Sequence, residues 1–115
     1  LRPAEALAFG SAITAGGLTM FELACVGTPS LVVCGERFEV ETAERLERAG
    51  VGRCLGFGGD LEAGRLSGAV EALARDAAAR SAMSDRGKQL IDGHGAQRIV
   101  QLIKDALTST AGRHA

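Results

Sequence analysis

The chain has 115 residues, 46% hydrophobic and 23% charged, enough for one globular domain and too apolar for a disordered segment. Its 13 basic and 14 acidic side chains leave a formal charge of −1, which argues against a nucleic-acid binder driven by phosphate neutralisation. Aromatic residues are 3%, with neither Trp nor Tyr, so base-stacking platforms are excluded as well. No apolar run is long enough to span a bilayer, and no block of like charge marks a membrane-surface patch.

Pro3 suits the first turn of a helix that runs through Phe9 and stops at Gly10. Leu1 therefore opens the chain inside a helical pattern, as expected of a piece of a larger protein. Ser11 to Ala15 is short, apolar and partly β-branched, a strand pattern broken by Gly16-Gly17. Leu18 to Val26 reads as a helix that is apolar nearly all round, capped by Gly27. After the Thr28-Pro29 turn, Ser30 to Cys34 has the continuous apolar character of a strand buried on both faces. Gly35 to Phe38 is a loop. Glu39 to Ala49 is an amphipathic helix with Val40, Ala43 and Leu46 on one stripe, and with Glu41/Arg45 and Glu44/Arg48 as i,i+4 pairs. Gly52 to Phe57 is a third strand, followed by Gly58-Gly59 and by Asp60 as the expected cap of the next helix.

From Asp60 onward the pattern is helical. Leu66, Val70 and Leu73 form one stripe; Met83, Leu90 and Ile91 a second; Ile99, Val100, Ile103 and Leu107 the longest. Asp92-Gly93-His94-Gly95 interrupts the last two. The small, polar stretch from Thr108 to Ala115 is expected to be a disordered tail. The fold expected is therefore α/β: a partial Rossmann-like, three-layer domain over residues 1–107, with a short parallel sheet of about three strands and a helical C-terminus.

In such a sheet, ligands bind beyond the carboxyl ends of the strands. Three loops leave those ends. The first carries the strongest pattern: Gly16 and Gly17 allow close backbone approach, and the amides of Leu18 and Thr19, with the Thr19 hydroxyl, suit a phosphate. Glu22, about one turn further, suits a sugar diol. The alternative is a tight turn whose glycines only permit packing. The second candidate is Glu36-Arg37-Phe38-Glu39 at the same rim, with Glu36 facing a ligand, or else an ordinary solvated loop running into a helix with Glu39 or Glu41 favouring the helix dipole. His94, in Asp92 to Arg98, reads as a general base or as part of a glycine-rich connection between helices. Cys25, Cys34 and Cys54 lack disulfide-framework or zinc-ligand spacing and are expected to be buried, reduced thiols of a cytoplasmic protein. No arrangement of Ser, Cys or paired carboxylates makes a complete catalytic site, and no residue pattern calls for a metal or cofactor.

The run from Ala12 to Val33, Ala-Ile-Thr-Ala-Gly-Gly-Leu-Thr-Met-Phe-Glu-Leu-Ala-Cys-Val-Gly-Thr-Pro-Ser-Leu-Val-Val, resembles the C-terminal domain of GT-B-fold sugar-nucleotide enzymes. The closer resemblance is to the UDP-sugar hydrolases of the pseudaminic-acid pathway and their spore-coat polysaccharide relatives. These also carry a segment similar to Ile91-Asp92-Gly93-His94-Gly95-Ala96-Gln97-Arg98-Ile99. The resemblance spans Ala4 to Leu107. It implies a UDP-sugar ligand, with Gly16, Gly17, Leu18 and Thr19 around the diphosphate, Glu22 on the ribose and Glu36 bordering the nucleotide-sugar. It also implies a hydrolase or glycosyltransferase whose catalytic histidine lies on an N-terminal lobe that this chain does not contain. That lobe is the implied partner, and neither His94 nor His114 matches its histidine. Leu18 stands where relatives often have Ser or Ala, and Arg37-Phe38 where they have Asn-Gln. The competing expectation is a non-catalytic module that dimerises through an open sheet edge.

Overall fold

Each of the three segments read as a strand forms one, and each strand is followed by a helix. The computed structural model describes residues 10–114, with side chains through Ser109. The helix expected from Pro3 to Phe9 lies outside the described residues. Strand β1 is Ala12–Thr14, β2 is Ser30–Cys34 and β3 is Gly52–Phe57. They form one sheet in the order β1-β2-β3, parallel throughout. Helix α1, Leu18–Cys25, links β1 to β2; α2, Val40–Arg48, links β2 to β3. The C-terminal part is α3, Ala63–Arg75, then α4, Ala77–Leu90, and α5, Gly95–His114. The expected fold class is the one observed.

Alternation along β2 divides the core. Val32 and Cys34 pack with Met20 and Ala24 of α1 and with Ala43 and Leu46 of α2. Leu31 points to the other face, where it meets Leu55, Leu73 of α3 and Met83 of α4. Period-two side chains thus feed two helical layers, and β2 is buried on both sides as its sequence requires. The pairing of β2 with β3 holds from Ser30 opposite Gly52 to Val32 opposite Cys54, then slips, so that Cys34 faces Phe57. One extra residue on β3 makes the bulge, and Gly56, at φ +84°, takes a backbone conformation costly for other residues.

Edge strand β3 does not leave all its donors open: the Cys54 N–H donates to Glu47 Oε2 of α2 at 2.6 Å. Two expectations shift at element boundaries. The helix read from Glu39 to Ala49 splits into a 3-10 turn, Arg37–Glu39, and α2. Asp60 does not cap α3. It lies in a 3-10 turn, Gly58–Asp60; Leu61 and Glu62 are extended, and α3 begins only at Ala63.

Candidate functional site

The first and second of the three loops at the carboxyl ends of the strands meet at one acidic side chain, Glu39. Its Oε1 accepts the Glu36 N–H at 3.0 Å, which closes the loop after β2. Its Oε2 lies where Gly16 has no side chain: a Cβ on Gly16 would sit 2.7 Å from that oxygen and 2.9 Å from Glu39 Cβ. The close approach of the first and second loops therefore depends on glycine at 16. Gly17 depends on glycine for another reason, its φ of 93° and ψ of −152°.

Gly17 is the N-cap of α1, and its lack of a side chain leaves the helix without a side-chain cap; no acidic residue stands in the first turn. Leu18 and Thr19, which open α1, are exposed, and the first amides of a helix have no partner within it. Such a terminus carries partial positive charge and favours an anion. Glu22 lies one turn along α1, exposed. A cavity of about 280 Å³ opens between α1 and α2, lined by Gly17, Leu18, Met20, Phe21, Phe38, Glu39 and Thr42.

Of the residues singled out in the sequence, Gly17 and Leu18 line that cavity. Gly16 abuts it through Glu39, while Thr19, Glu22 and Glu36 do not line it. Phe38 and Glu39, of the second candidate segment, line it too, whereas Phe21 and Thr42 were not singled out as site residues. Of these two, Phe21 carries the only sequence signal, as one of four phenylalanines in the chain.

The second and third loops are also tied together. Arg37 Nη1 donates to Asp60 Oδ2 at 3.0 Å and Nη2 to Oδ1 at 3.3 Å, and its guanidinium lies 4.3 Å from the centre of the Phe57 ring. Exposed pairs of this kind contribute about 0–1 kcal/mol, so this one serves to position the loops.

The Asp92 to Arg98 segment lies elsewhere. A Cβ on Gly93 would sit 3.4 Å from the Cys25 sulfur, at the C-terminal end of α1. The glycine turn is at the other end of that helix, about 12 Å away by helical rise. There Asp92 Oδ1 accepts the His94 N–H at 2.9 Å, Asp92 also pairs with Arg98, and His94 Nδ1 meets Gln97 Oε1 at 2.8 Å. His94 is thus committed to the start of α5 and stands apart from the rim.

The three cysteines are free thiols. Cys34 is buried, whereas Cys25 and Cys54 are half-buried. Burial, reinforced by the neighbouring Cys54 and Glu39, pushes the Cys34 thiol up to about 11, which leaves it protonated and unreactive at neutral pH. Among the described residues, no group of three or more His, Cys, Asp or Glu is placed to hold a metal ion, and no helix is long and apolar enough to cross a membrane.

Comparison with known proteins adds one relationship. The chain is 27% identical over 95 residues to the spore coat polysaccharide biosynthesis protein SpsG of Bacillus subtilis (strain 168). The aligned part is 83% of this chain and 28% of that protein, so the chain spans little more than a quarter of its relative's length. No family model matches the chain, and no solved structure matches it significantly.

Proposed function

We propose that this chain is the nucleotide-sugar-binding lobe of an enzyme of cell-surface polysaccharide biosynthesis, a hydrolase or glycosyltransferase acting on a UDP-sugar. The diphosphate sits on the backbone amides at Gly16, Gly17, Leu18 and Thr19, Glu22 accepts from the ribose hydroxyls, and Glu36 borders the sugar. The observation that carries this reading is the uncapped N-terminus of α1, opened by a glycine whose backbone conformation other residues disfavour. The likeness to a polysaccharide biosynthesis protein supports it independently. In such a reaction the lobe holds the leaving group, and its amides stabilise charge that develops on the diphosphate as the glycosyl bond breaks. The bond-breaking group comes from a second lobe, in keeping with the small share of the relative that this chain covers.

Glu39 refines the proposal. Its carboxylate stands beside the glycine turn, where it opposes a second negative charge. Calorimetry with UDP provides the test. Weak binding is expected for the wild-type chain, with about tenfold loss or more in Glu22→Ala, the cost of a charge-assisted hydrogen-bond acceptor. Gly17→Ala is expected to abolish binding, and Glu39→Gln to tighten it several-fold. Absence of binding at millimolar UDP would overturn the site, and so would unchanged affinity in Glu22→Ala together with Gly17→Ala.

A further inference from the structure

Two large apolar side chains stand open beside the glycine turn. Leu18 is 78% exposed and Phe38 80%, and both line the cavity between α1 and α2. A single exposed side chain of this kind is ordinary; two on the lip of one cavity mark a surface that a ligand covers. Met20, which is buried, and Phe21, which is half-buried, continue the carbon wall. The polar members are few: the Gly17 backbone, the exposed Thr42 and Glu39. Glu39 Oε1 is taken by the Glu36 N–H, while Oε2 accepts no hydrogen bond among the described residues. Carbon walls with a small number of placed acceptors are the make-up of a small-molecule site.

The volume limits the occupant. A cavity of about 280 Å³ stands at the lower end of ligand pockets, with room for one small ring and not for a whole nucleotide-sugar. A nucleotide-sugar carries ribose on one phosphate and a glycosyl ring on the other. With the diphosphate on the amides at Gly17 to Thr19, the ribose at Glu22 lies one turn along α1, and Glu22 does not line the cavity. The group on the other phosphate is then the one that meets it. A pyranose ring suits such walls, because its hydroxyls project round the edge while its faces present C–H bonds. Those hydrogens carry a slight positive charge, and the face of an aromatic ring is negative.

We propose that Phe38 is the platform on which the glycosyl ring lies, and that the ring it selects is an uncharged pyranose. The assignment rests on the nucleotide-sugar reading and gives Phe38 a specificity-determining role within it. The C–H face of the sugar packs on the Phe38 ring, which leaves water as it does so. A hydroxyl at the edge of the sugar donates to Glu39 Oε2, the acceptor left over on that side of the cavity. A polar side chain at 38 would hold hydroxyls one at a time; phenylalanine holds the ring by its carbon face. The Glu39 carboxylate disfavours an anionic sugar in the same place.

Binding of UDP, UDP-glucose and UDP-glucuronic acid to the chain, followed by NMR titration, tests this. UDP-glucose is expected to bind about three- to tenfold more tightly than UDP. That advantage should vanish in Phe38→Ala and persist in Phe38→Tyr. Phe38 is exposed, so both variants should keep the wild-type urea unfolding transition. The ring C–H protons of bound glucose should shift upfield over the aromatic face and lose that shift in Phe38→Ala, which a purely structural role would not cause. UDP-glucuronic acid should bind several-fold less well than UDP-glucose, and Glu39→Gln should narrow the gap. No binding of UDP at millimolar concentration overturns the nucleotide-sugar reading and the role of Phe38 with it. UDP binding without a sugar advantage, or an advantage that survives Phe38→Ala, overturns the role of Phe38 alone and leaves that reading standing. A gap unchanged in Glu39→Gln overturns the contact of Glu39 with the sugar.

Discussion

The α/β body and α5 use the same kind of apolar sequence to opposite ends. In the body, Leu31, Val32 and Cys34 of β2 are sealed between helical layers, and Met20, Ala24, Ala43 and Leu46 close around them. In α5, Ile99, Val100, Ile103 and Leu107 follow as regular a spacing and stay open along their whole length. The hydrophobic pattern therefore tells which face of an element is to be covered, but not by what. For the body the cover is the next element in the chain. For α5 the side chains of Ile99, Ile103 and Leu107 remain exposed.

The sharpest way to break this contrast is to truncate one residue from each region. Leu31 is 2% exposed between β3, α3 and α4. Leu31→Ala should cost about 2–5 kcal/mol of unfolding free energy, through lost burial and the cavity left behind. Ile103→Ala, measured by urea unfolding at a concentration where the chain is monomeric, should cost less than about 0.5 kcal/mol. Comparable losses at the two positions would mean that α5 is packed on the body after all.

Two helical glycines carry the comparison one step down in size. A Cβ on Gly87 would sit 2.6 Å from the Ala24 carbonyl oxygen, where α4 crosses α1 at backbone contact. Gly87→Ala should push these helices apart and cost about 1–3 kcal/mol. Gly68 in α3 faces open space, with nothing within 4 Å of its missing Cβ. Gly68→Ala should stabilise by about 0.5–1 kcal/mol, because it removes backbone entropy from the unfolded chain without a clash. Thermal or urea unfolding of the two variants side by side should give opposite signs, and the same sign in both would contradict the packing described for α4 on α1.

Much of the architecture is legible in the sequence for local reasons. Strands β2 and β3 begin and end where they are expected, because continuous apolar runs are bounded by Pro29, Gly35, Gly52 and Gly58. The turn from β1 into α1 is legible because two adjacent glycines after a strand leave few other readings. What is not legible depends on contacts between distant segments. Asp60 has the composition of a helix cap, yet Arg37, brought over by the β2–β3 pairing, takes its carboxylate. Glu39 reads as an ordinary residue at the start of a helix, yet the parallel register of β1 and β2 sets it against Gly16 and makes it the acidic wall of the candidate site. Asp92 to Arg98 adds to the family resemblance, yet it falls at the far end of α1, where it anchors a helix.

That anchor gives the smallest effect and the most local one. The His94 N–H, and then the Arg98 guanidinium, hold the Asp92 carboxyl below the usual carboxylate range. A carboxyl whose folded pKa is depressed contributes stability above its unfolded value of about 3.9, and that contribution is lost as pH falls through the folded value. The start of α5 should therefore loosen in acid below about pH 4 while the core of the body, held by burial, is still folded. Amide hydrogen exchange at His94 and in the first turn of α5, followed from neutral pH into that range and corrected for intrinsic rates, should show the loss of protection. Asp92→Asn removes the charge at every pH, so its exchange there should already be raised at neutral pH and should change little on acidification. An acid response that is the same in wild type and Asp92→Asn would mean that the junction between α4 and α5 is held by something other than this carboxylate.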